Sequence, residues 1–253
     1  MEKSVGQLSI AAHEDRIGPS QPPVVVVRHL VRNFGPRRVL NDLQLSLRAG
    51  EFVALLGRSG SGKSTLLKAL ANLDNDVGGS GELTVPANYS VAFQDSRLLP
   101  WLRLLDNVIL GLDEPDAPGK GRRALAEVGL AGRERAWPNA LSGGEQQRAA
   151  LARSLARKPE LLLADEPFGA LDALTRINMQ ALLRRLCEEH RPAVLFVTHD
   201  VEEAIGLADR VIVLQDGVIH LELPIIQGIT LARHEAQFSA YRKTLLDALG
   251  VTR

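Results

Sequence analysis

Apolar residues recur along the chain in short uninterrupted runs, and polar or glycine-rich segments separate these runs. Residues 52–56 (Phe-Val-Ala-Leu-Leu), 161–164 and 193–197 contain no polar side chain. A strand that is apolar at every position, without alternation, is typical of a parallel strand covered on both faces. The pattern therefore predicts three buried strands of a parallel sheet.

Helical spacing follows the first of these strands. Leu66, Leu70 and Leu73 are four and three residues apart, so they are expected on one face of a helix. Residues 95–158 are mainly helical in pattern, interrupted by a loop at residues 113–121. Repeated alternation of strand and helix predicts a parallel sheet with right-handed crossovers. Ligands on such sheets bind at the carboxyl ends of the strands.

Shorter strands are predicted near both ends of the chain. Residues 24–30 and 43–47 are expected to be strands, with a turn at residues 34–35 between them. Residues 211–223 predict a hairpin about Asp216-Gly217, a pair favoured in tight primed turns. The last predicted helix carries one apolar stripe, formed by Phe238, Tyr241, Leu245 and Leu249. This stripe favours packing on the domain surface, and an interface role stays open.

Composition narrows the class of protein. The 253 residues suffice for one large α/β domain with an inserted subdomain. Thirty basic residues balance thirty acidic ones without a basic run, so nucleic acid is not an expected partner. Cys187, the single cysteine, cannot form an intrachain disulfide, which fits a reducing cytosol and a small buried hydrophobe.

Membrane contact is expected to come through a partner. No segment approaches the roughly 18 consecutive apolar residues that indicate a membrane span. Residues 1–23 mix charged residues with glycine and proline, and they lack the apolar core of a secretory signal. We expect a disordered tail there.

A glycine-rich motif connects the first buried strand to the first predicted helix. Its spacing matches the phosphate loop, whose glycines let successive N–H groups converge on phosphate oxygens beside a helix N-terminus. Lys63 is expected to reach the β- and γ-phosphates of ATP, and the Ser64 hydroxyl to bind Mg²⁺. A flexible glycine-serine loop is the alternative, but the flanking strand and helix favour nucleotide binding. The predicted nucleotide-binding residues of the motif are Gly57, Arg58, Ser59, Gly60, Ser61, Gly62, Lys63, Ser64 and Thr65.

Two acidic residues follow the second buried strand. Asp165 suits the Mg²⁺ shell, through water, and Glu166 is placed to orient and polarise an attacking water. Two solvated acids after a strand would be a sufficient account of this segment alone. The phosphate loop upstream favours the catalytic interpretation.

A second candidate anion site begins at Ser142. This serine and the glycines Gly143 and Gly144 open a predicted helix, and such a start offers a cap and N–H donors. A simple helix cap would explain the three residues on their own. However, one nucleotide can hardly use two such cradles within one chain. The pair of cradles therefore points to two chains, each lending this element to the other's phosphate.

The motifs occur in an order that resembles the ABC ATPase family, and the likeness covers about residues 24–223. The resemblance implies an α/β fold of the P-loop NTPase (RecA-like) type, with a mostly parallel sheet core and an antiparallel β subdomain. It also implies an inserted α-helical subdomain at about 95–158, and residues 224–253 would form a short C-terminal helical extension. Besides the phosphate loop, the matching segments are Leu-Ser-Gly-Gly at 141–144, Leu-Ala-Asp-Glu-Pro at 163–167, Ala-Leu-Asp at 170–172 and Thr-His-Asp at 198–200.

The resemblance implies further site residues. Gln94 is similar to a glutamine that contacts Mg²⁺ and links the site to the helical subdomain. His199 is similar to a histidine that contacts the γ-phosphate, and it joins Lys63 and Glu166 as the implied catalytic set. Asp172 resembles a residue that crosses the dimer interface, and Phe34 an aromatic that stacks on adenine. Taken alone, Phe34 is more often a packing residue and His199 a capping or core histidine.

Glu145 departs from the family pattern, which most often has glutamine at this position. The N–H donors of the motif are kept, so ATP binding is expected to survive.

The segment at residues 93–101 is unusually apolar for a loop. It fits either the core of the helical subdomain or a groove that receives a permease helix, with Trp101 as the exposed candidate. With residues 170–176, it resembles importers of nitrate, taurine and aliphatic sulfonates, and among these most of all the aliphatic sulfonate importers. The resemblance implies a homodimer of ATPase subunits, two transmembrane permease subunits, and a periplasmic binding protein acting indirectly. The site of action would be the cytoplasmic face of the inner membrane.

Several alternatives stay open at this point. The substrate could be nitrate, taurine or another solute, and an exporter cassette is a weaker option. A soluble ABC ATPase of DNA repair or translation should show a coiled-coil insertion, a basic arm or two fused cassettes. A non-enzymatic nucleotide-binding scaffold should have lost Lys63, Glu166 or His199, and all three are present.

Overall fold

The computed structural model describes residues 22–226 and 231–251, with the backbone alone for residues 231–234. The predicted tail at residues 1–23 lies outside the described residues, apart from its last two positions. The chain divides into two compact units. Of the described residues, 22–87, 193–226 and 231–251 belong to the first unit, and Asn88–Pro192 form the second unit.

Strands and helices alternate over residues 161–215, as the sequence pattern predicts, whereas three consecutive strands precede the first helix. The strands are β1 (Val25–Phe34), β2 (Arg37–Leu47), β3 (Phe52–Leu56), β4 (Gly78–Thr84), β5 (Tyr89–Ala92), β6 (Leu161–Asp165), β7 (Ala193–Val197), β8 (Arg210–Gln215) and β9 (Val218–Pro224). The helices are α1 (Lys63–Leu70), α2 (Leu104–Val108), α3 (Ala117–Glu127), α4 (Gly143–Ala156), α5 (Ala173–His190), α6 (Val201–Leu207) and α7 (Leu231–Ala248), and a 3₁₀ turn spans Pro138–Ala140.

An antiparallel sheet in the order β2-β1-β4 belongs to the first unit. Strand β1 pairs antiparallel with both neighbours. Strands β1 and β2 run to the turn at Gly35, beyond the predicted limits of 24–30 and 43–47. The apolar runs underpredict these strands because backbone pairing continues through polar residues such as Asn33 and Arg38.

The first unit also contains the strands in the order β7-β3-β8-β9. Strand β3 is parallel to β7 and to β8, and every residue of β3 and β7 is buried. Strand β9 returns antiparallel to β8. Its turn residues Asp216 and Gly217 have φ values of 48° and 78°, the left-handed pair that a type I′ turn requires. The predicted buried strands and the hairpin are confirmed.

Helix α1 ends earlier than its leucine spacing predicts. Its cap is Ala71, and Asn72 adopts a left-handed φ of 52°. The N–H of Asn72 bonds to the Ala69 carbonyl at 3.1 Å, and the N–H of Leu73 bonds to the Lys68 carbonyl at 2.8 Å. This pair of bonds is the Schellman ending of a helix. The prediction that Leu73 shares a helix face with Leu66 and Leu70 is therefore wrong, and its side chain is exposed.

The second unit pairs β5 with β6 in parallel and adds helices α2 to α5. The loop predicted at residues 113–121 is wrong in its second half, since α3 begins at Ala117. Pro118 lies in the first turn of α3, where a helix does not need its N–H. Gly121 allows close packing against α2, because a Cβ there would lie 2.7 Å from Leu105 Cδ1. Cys187 is buried, as predicted.

Helix α7 packs against α6 in the first unit. Leu245 is completely buried, while Phe238 and Tyr241 are half-buried. The apolar stripe therefore covers part of the domain surface, as predicted. Within the described ranges, no helix is both long enough and apolar enough to cross a bilayer.

Candidate functional site

The phosphate loop of the first unit follows β3 directly and leads into α1. Gly62 caps α1 with a φ of 109°, a conformation that strains other residues. A Cβ at Gly62 would lie 2.7 Å from Leu40 Cδ2, and one at Gly57 would lie 2.4 Å from the Leu214 carbonyl oxygen. Both positions therefore require glycine, for sterics as well as for backbone freedom.

The side chain of Lys63 folds over this loop. Its Nζ donates to the carbonyl of Gly57 at 2.7 Å and to the carbonyl of Arg58 at 3.1 Å. Ser64 is exposed at the same helix end, whereas the buried Ser61 Oγ has no hydrogen-bond partner among the described residues. A half-buried cation, a helix N-terminus and an unsatisfied hydroxyl within one loop suit a bound phosphate.

His199 lies at the same sheet edge as the loop. Strands β3 and β7 are parallel, with Leu55 opposite Val197, so their carboxyl ends are adjacent. His199 is exposed two residues beyond β7. The neighbouring Thr198 is buried, and its hydroxyl donates to Glu203 Oε2 at 2.7 Å. The carboxylate of Asp200 caps α6. The residues on both sides of His199 are therefore held firmly.

Phe34 ends β1 beside the phosphate loop. Its side chain is 48% exposed, more than a packing residue would be. Its strand partner is Arg37, whose guanidinium would lie 3.6 Å from a Cβ at Gly60 of the loop. The sequence patterns did not single out Arg37, because only the β1–β2 pairing brings this cation to the loop.

The second unit brings Gln94, Asp165 and Glu166 to one edge. Strands β5 and β6 are parallel, with Ala92 opposite Ala164, and the three residues follow these strand ends. Glu166 has a left-handed φ of 47°, and its carbonyl accepts from the Gly169 N–H at 3.0 Å. A Cβ at Gly169 would lie 3.1 Å from Gln94 Nε2, so the Gln94 amide lies against this turn.

Ser142 caps α4 through a reciprocal pair of bonds with Glu145. The Glu145 N–H donates to Ser142 Oγ at 3.2 Å, and the Ser142 N–H donates to Glu145 Oε2 at 2.8 Å. The Ser142 N–H lowers the pKa of the Glu145 carboxyl. The N–H groups of Gly143 and Gly144 lie in the first turn, where a helix has no carbonyl of its own to accept them. The predicted cap is confirmed.

The turn at Asp172 contacts the start of α4. Asp172 is exposed and caps α5, where its Oδ1 accepts from the Thr175 N–H at 3.0 Å. Hydrogen bonds from the Thr175 hydroxyl and N–H lower the pKa of the Asp172 carboxyl. A Cβ at Gly144 would lie 2.9 Å from Thr175 Cγ2. The two helix starts of the second unit are therefore packed together.

Gln147 is a second residue that the sequence patterns did not single out. It is buried in α4 on the face that also carries Ala150 and Leu151. Its amide donates to the carbonyls of Gln94 and Pro167. The sequence feature that could have identified Gln147 is a polar residue within an apolar helix face, because a polar side chain buried there needs an internal hydrogen-bond partner.

The segment at residues 93–101 is coil rather than helix. Trp101 is 68% exposed, as predicted, while Leu99 is half-buried. Arg153 of α4 donates to the carbonyls of Ser96 at 2.7 Å and Arg97 at 2.8 Å. Burial, and then the positive charges of Arg157 and Arg97, lower the pKa of Arg153. Arg153 therefore fixes the backbone of the segment at Ser96 and Arg97, while the Trp101 side chain faces solvent.

Comparisons with known proteins agree with this geometry. A family model described as ABC transporter matches residues 40–169. The aliphatic sulfonates import ATP-binding protein SsuB 2 of Streptomyces avermitilis is 64% identical over 230 residues, covering 91% of this chain and 92% of that protein. The protein of the same name from Nocardia farcinica is 67% identical over 229 residues, covering 90% of this chain and 95% of that protein.

Two solved structures of the ATP-binding cassette MJ0796 are also similar. Both are described as dimeric, and one as a post-hydrolysis state bound to ADP and Pi. Each is 31% identical and covers 81% of this chain and 100% of the solved chain, with TM-scores of 0.66 and 0.68. The predicted P-loop fold is thereby confirmed. With a family model that covers half of its length and relatives this similar, the chain belongs to the ABC transporter family.

Proposed function

We propose that this chain is the ATP-binding and ATP-hydrolysing subunit of an importer of aliphatic sulfonates. The observation that supports nucleotide binding most strongly is the phosphate loop, in which Lys63 Nζ lies 2.7 Å from the Gly57 carbonyl oxygen. The relatives from Streptomyces and Nocardia, which are 64% and 67% identical, carry the name of such a subunit and support the sulfonate assignment.

The first unit supplies the residues that bind ATP. Lys63 exchanges its loop carbonyls for phosphate oxygens, because its charge is stabilised more by phosphate than by neutral carbonyls. Phe34 stacks on the adenine, and the guanidinium of Arg37 adds positive charge beside the loop. His199 donates to the γ-phosphate from the neighbouring strand end.

Glu166 orients the attacking water and accepts its proton. The residues that fit Mg²⁺ are Ser64, Gln94 and Asp165, whose oxygens are the ligands that this ion prefers. When bound, Mg²⁺ neutralises negative charge that develops on the phosphate oxygens.

A second copy of the chain completes each site. Ser142, Gly143 and Gly144 of one chain donate to the γ-phosphate held by the other, and Asp172 lies across the interface. ATP then contacts both chains at once, so its binding favours the closed dimer and hydrolysis releases the dimer. Two permease subunits receive this motion at the cytoplasmic face of the inner membrane, with a periplasmic binding protein selecting the solute.

The test of hydrolysis uses two variants. Lys63→Ala should abolish turnover with the fold intact by circular dichroism. Glu166→Gln keeps shape but removes the carboxylate charge, so turnover should fall by about two orders of magnitude or more while ATP affinity persists. On gel filtration with ATP, Glu166→Gln should run as a dimer and the parent mainly as a monomer. Parent-like turnover of Glu166→Gln without a dimer would refute the catalytic assignment.

The test of the solute uses the complete transporter. The ATPase subunit is reconstituted with its permease and binding protein, and ATP turnover is measured against alkanesulfonates, taurine and nitrate. Alkanesulfonates should stimulate turnover most. Stimulation by nitrate alone would overturn the sulfonate assignment and leave the ATPase assignment standing.

A further inference from the structure

One buried side chain in α4 bonds to two segments of the candidate catalytic site. Gln147 is only 6% exposed. Its Nε2 donates to the carbonyl oxygen of Gln94 at 2.8 Å and to that of Pro167 at 2.7 Å. A carboxamide nitrogen carries two hydrogens, so this group uses its full donor capacity on two backbone oxygens.

Those two oxygens flank the residues assigned to catalysis. Pro167 directly follows Glu166, whose left-handed conformation makes the position of its carboxylate sensitive to the next peptide. Gln94 packs its own amide against the same turn at Gly169. Gln147 therefore ties both segments to the helix that begins after Ser142, less than two turns away.

The neighbouring Gln146 shows what an ordinary helix-start glutamine does. Its Nε2 donates to the carbonyls of Pro138 at 3.1 Å and Leu141 at 3.2 Å, both in the chain that leads into α4. These bonds fasten the helix start to its own preceding loop, and the Oε1 of Gln146 accepts from the Ser96 hydroxyl at 3.4 Å. Gln146 and Gln147 thus have the same chemistry and adjacent positions, but only Gln147 bonds to backbone next to Glu166.

We propose that Gln147 is a positioning residue that couples the Ser142 end of α4 to the backbone of Gln94 and Glu166. A displacement of α4, such as phosphate contact at Ser142 produces, moves both carbonyls through one rigid amide. The placement of the Glu166 carboxylate then depends on engagement of the helix end. This inference deepens the proposed function and rests on it.

The positioning role of Gln147 concerns the rate of hydrolysis and not the affinity for ATP. The phosphate loop belongs to the first unit, and the two bonds of the Gln147 amide lie within the second. Loss of the two bonds is therefore expected to lower kcat and leave the KM for ATP nearly unchanged. If Gln147 merely supported the fold, its loss would lower the amount of active protein. At a fixed concentration of active sites, kcat would then not fall selectively relative to KM.

The experiment compares Gln147→Met with Gln146→Met. Methionine keeps the length and flexibility of glutamine and removes its hydrogen-bonding atoms. For Gln147→Met we expect kcat to fall by about tenfold or more, with KM for ATP within about twofold of the parent. For Gln146→Met we expect kcat within about twofold. Equal losses in the two variants, or a Gln147→Met loss that appears in KM, would overturn the inference.

Amide hydrogen exchange tests the positioning without using activity. Gln147→Met should speed exchange in peptides covering residues 94–97 and 166–171, whereas Gln146→Met, whose Oε1 accepts from the Ser96 hydroxyl at 3.4 Å, should leave exchange in residues 166–171 unchanged. Unchanged exchange there would overturn the positioning role even if kcat fell. A parent protein that fails to hydrolyse ATP would contradict the proposed function, and the exchange comparison would still decide whether Gln147 holds these segments.

Discussion

Asn107 offers a sharp test of how the Trp101 segment is held. This residue of α2 is completely buried. Its Oδ1 accepts from the Leu99 N–H at 2.7 Å. Its Nδ2 donates to the carbonyls of Leu99 at 3.1 Å, Leu102 at 3.1 Å and Arg103 at 3.2 Å. One side chain thereby satisfies the backbone on both sides of Trp101.

The change Asn107→Leu keeps the size of the side chain and removes these bonds. Two amide hydrogens serve three carbonyls, so the four contacts amount to about three independent bonds, each contributing about 0.5–1.5 kcal/mol. The Leu99 N–H loses its acceptor, and the greater hydrophobicity of leucine offsets about 1 kcal/mol. We expect the free energy of unfolding of the second unit to fall by about 2–3 kcal/mol.

Tryptophan fluorescence during urea unfolding measures this loss. The chain has two tryptophans, Trp101 and Trp137, and both lie in the second unit. The matched control is Asn88→Leu. Asn88 also donates to two carbonyls, those of Arg157 and Lys158, but it is exposed, so water can replace it. The control should lose less than about 1 kcal/mol. Equal losses in both variants would show that the buried amide does not support the segment.

Four further predictions concern other parts of the chain. Gly62→Ala should weaken MgATP binding, measured by calorimetry, by about tenfold or more, because the added Cβ meets Leu40 at a strained φ. The control Gly132→Ala has a φ of 81° and no atom within 4 Å of the added Cβ, so it should bind MgATP like the parent. Arg210→Met should destabilise the first unit by about 3–5 kcal/mol in thermal unfolding, because it removes the cation 2.8 Å from the buried Glu51 carboxylate, and addition of Glu51→Gln should restore part of the loss. The pKa of Glu145 is lowered in the fold, so its ionised carboxylate stabilises the protein above the ordinary pKa of 4.5, and this stabilisation is lost as the pH falls through the folded pKa. The difference in melting temperature between the parent and Glu145→Gln should therefore shrink below about pH 4.5. Trp101→Ala should weaken copurification with the permease while leaving ATP affinity and melting temperature close to those of the parent, and a large stability loss with normal copurification would instead identify Trp101 as a core residue.

The sequence was most informative where backbone chemistry and local pattern coincide. The apolar strands Phe52–Leu56 and Ala193–Val197 are predicted to the residue, since burial on both faces leaves no polar position. The phosphate loop and the Ser142 cap are likewise local, because each function depends on a few consecutive backbone groups. Periodicity was misleading at Leu73, where a left-handed residue at Asn72 ended the helix before the third leucine.

Contacts between distant positions could not be predicted in this way. Gln147 bonds to a carbonyl 53 residues earlier and to another 20 residues later. The sequence did not predict the role of Asn107, because asparagine in a short helix is usually a surface residue. Arg37 gained its place beside the loop through strand pairing alone. Each role depends on tertiary packing, which a spacing pattern does not encode.

The cap at Ser142 also determines the polarity of this helix end. The Glu145 N–H occupies a lone pair of the Ser142 hydroxyl, so its hydrogen stays available for donation. The carboxylate of Glu145 is occupied by the Ser142 N–H and lies 3.4 Å from Arg133. The end of α4 thus offers hydrogen-bond donors, while the Ser142 N–H and the Arg133 guanidinium partly offset the charge of the glutamate in its first turn. Such an end favours a ligand that accepts hydrogen bonds, which is how an acidic residue and the proposed anion-binding role can coexist in one motif.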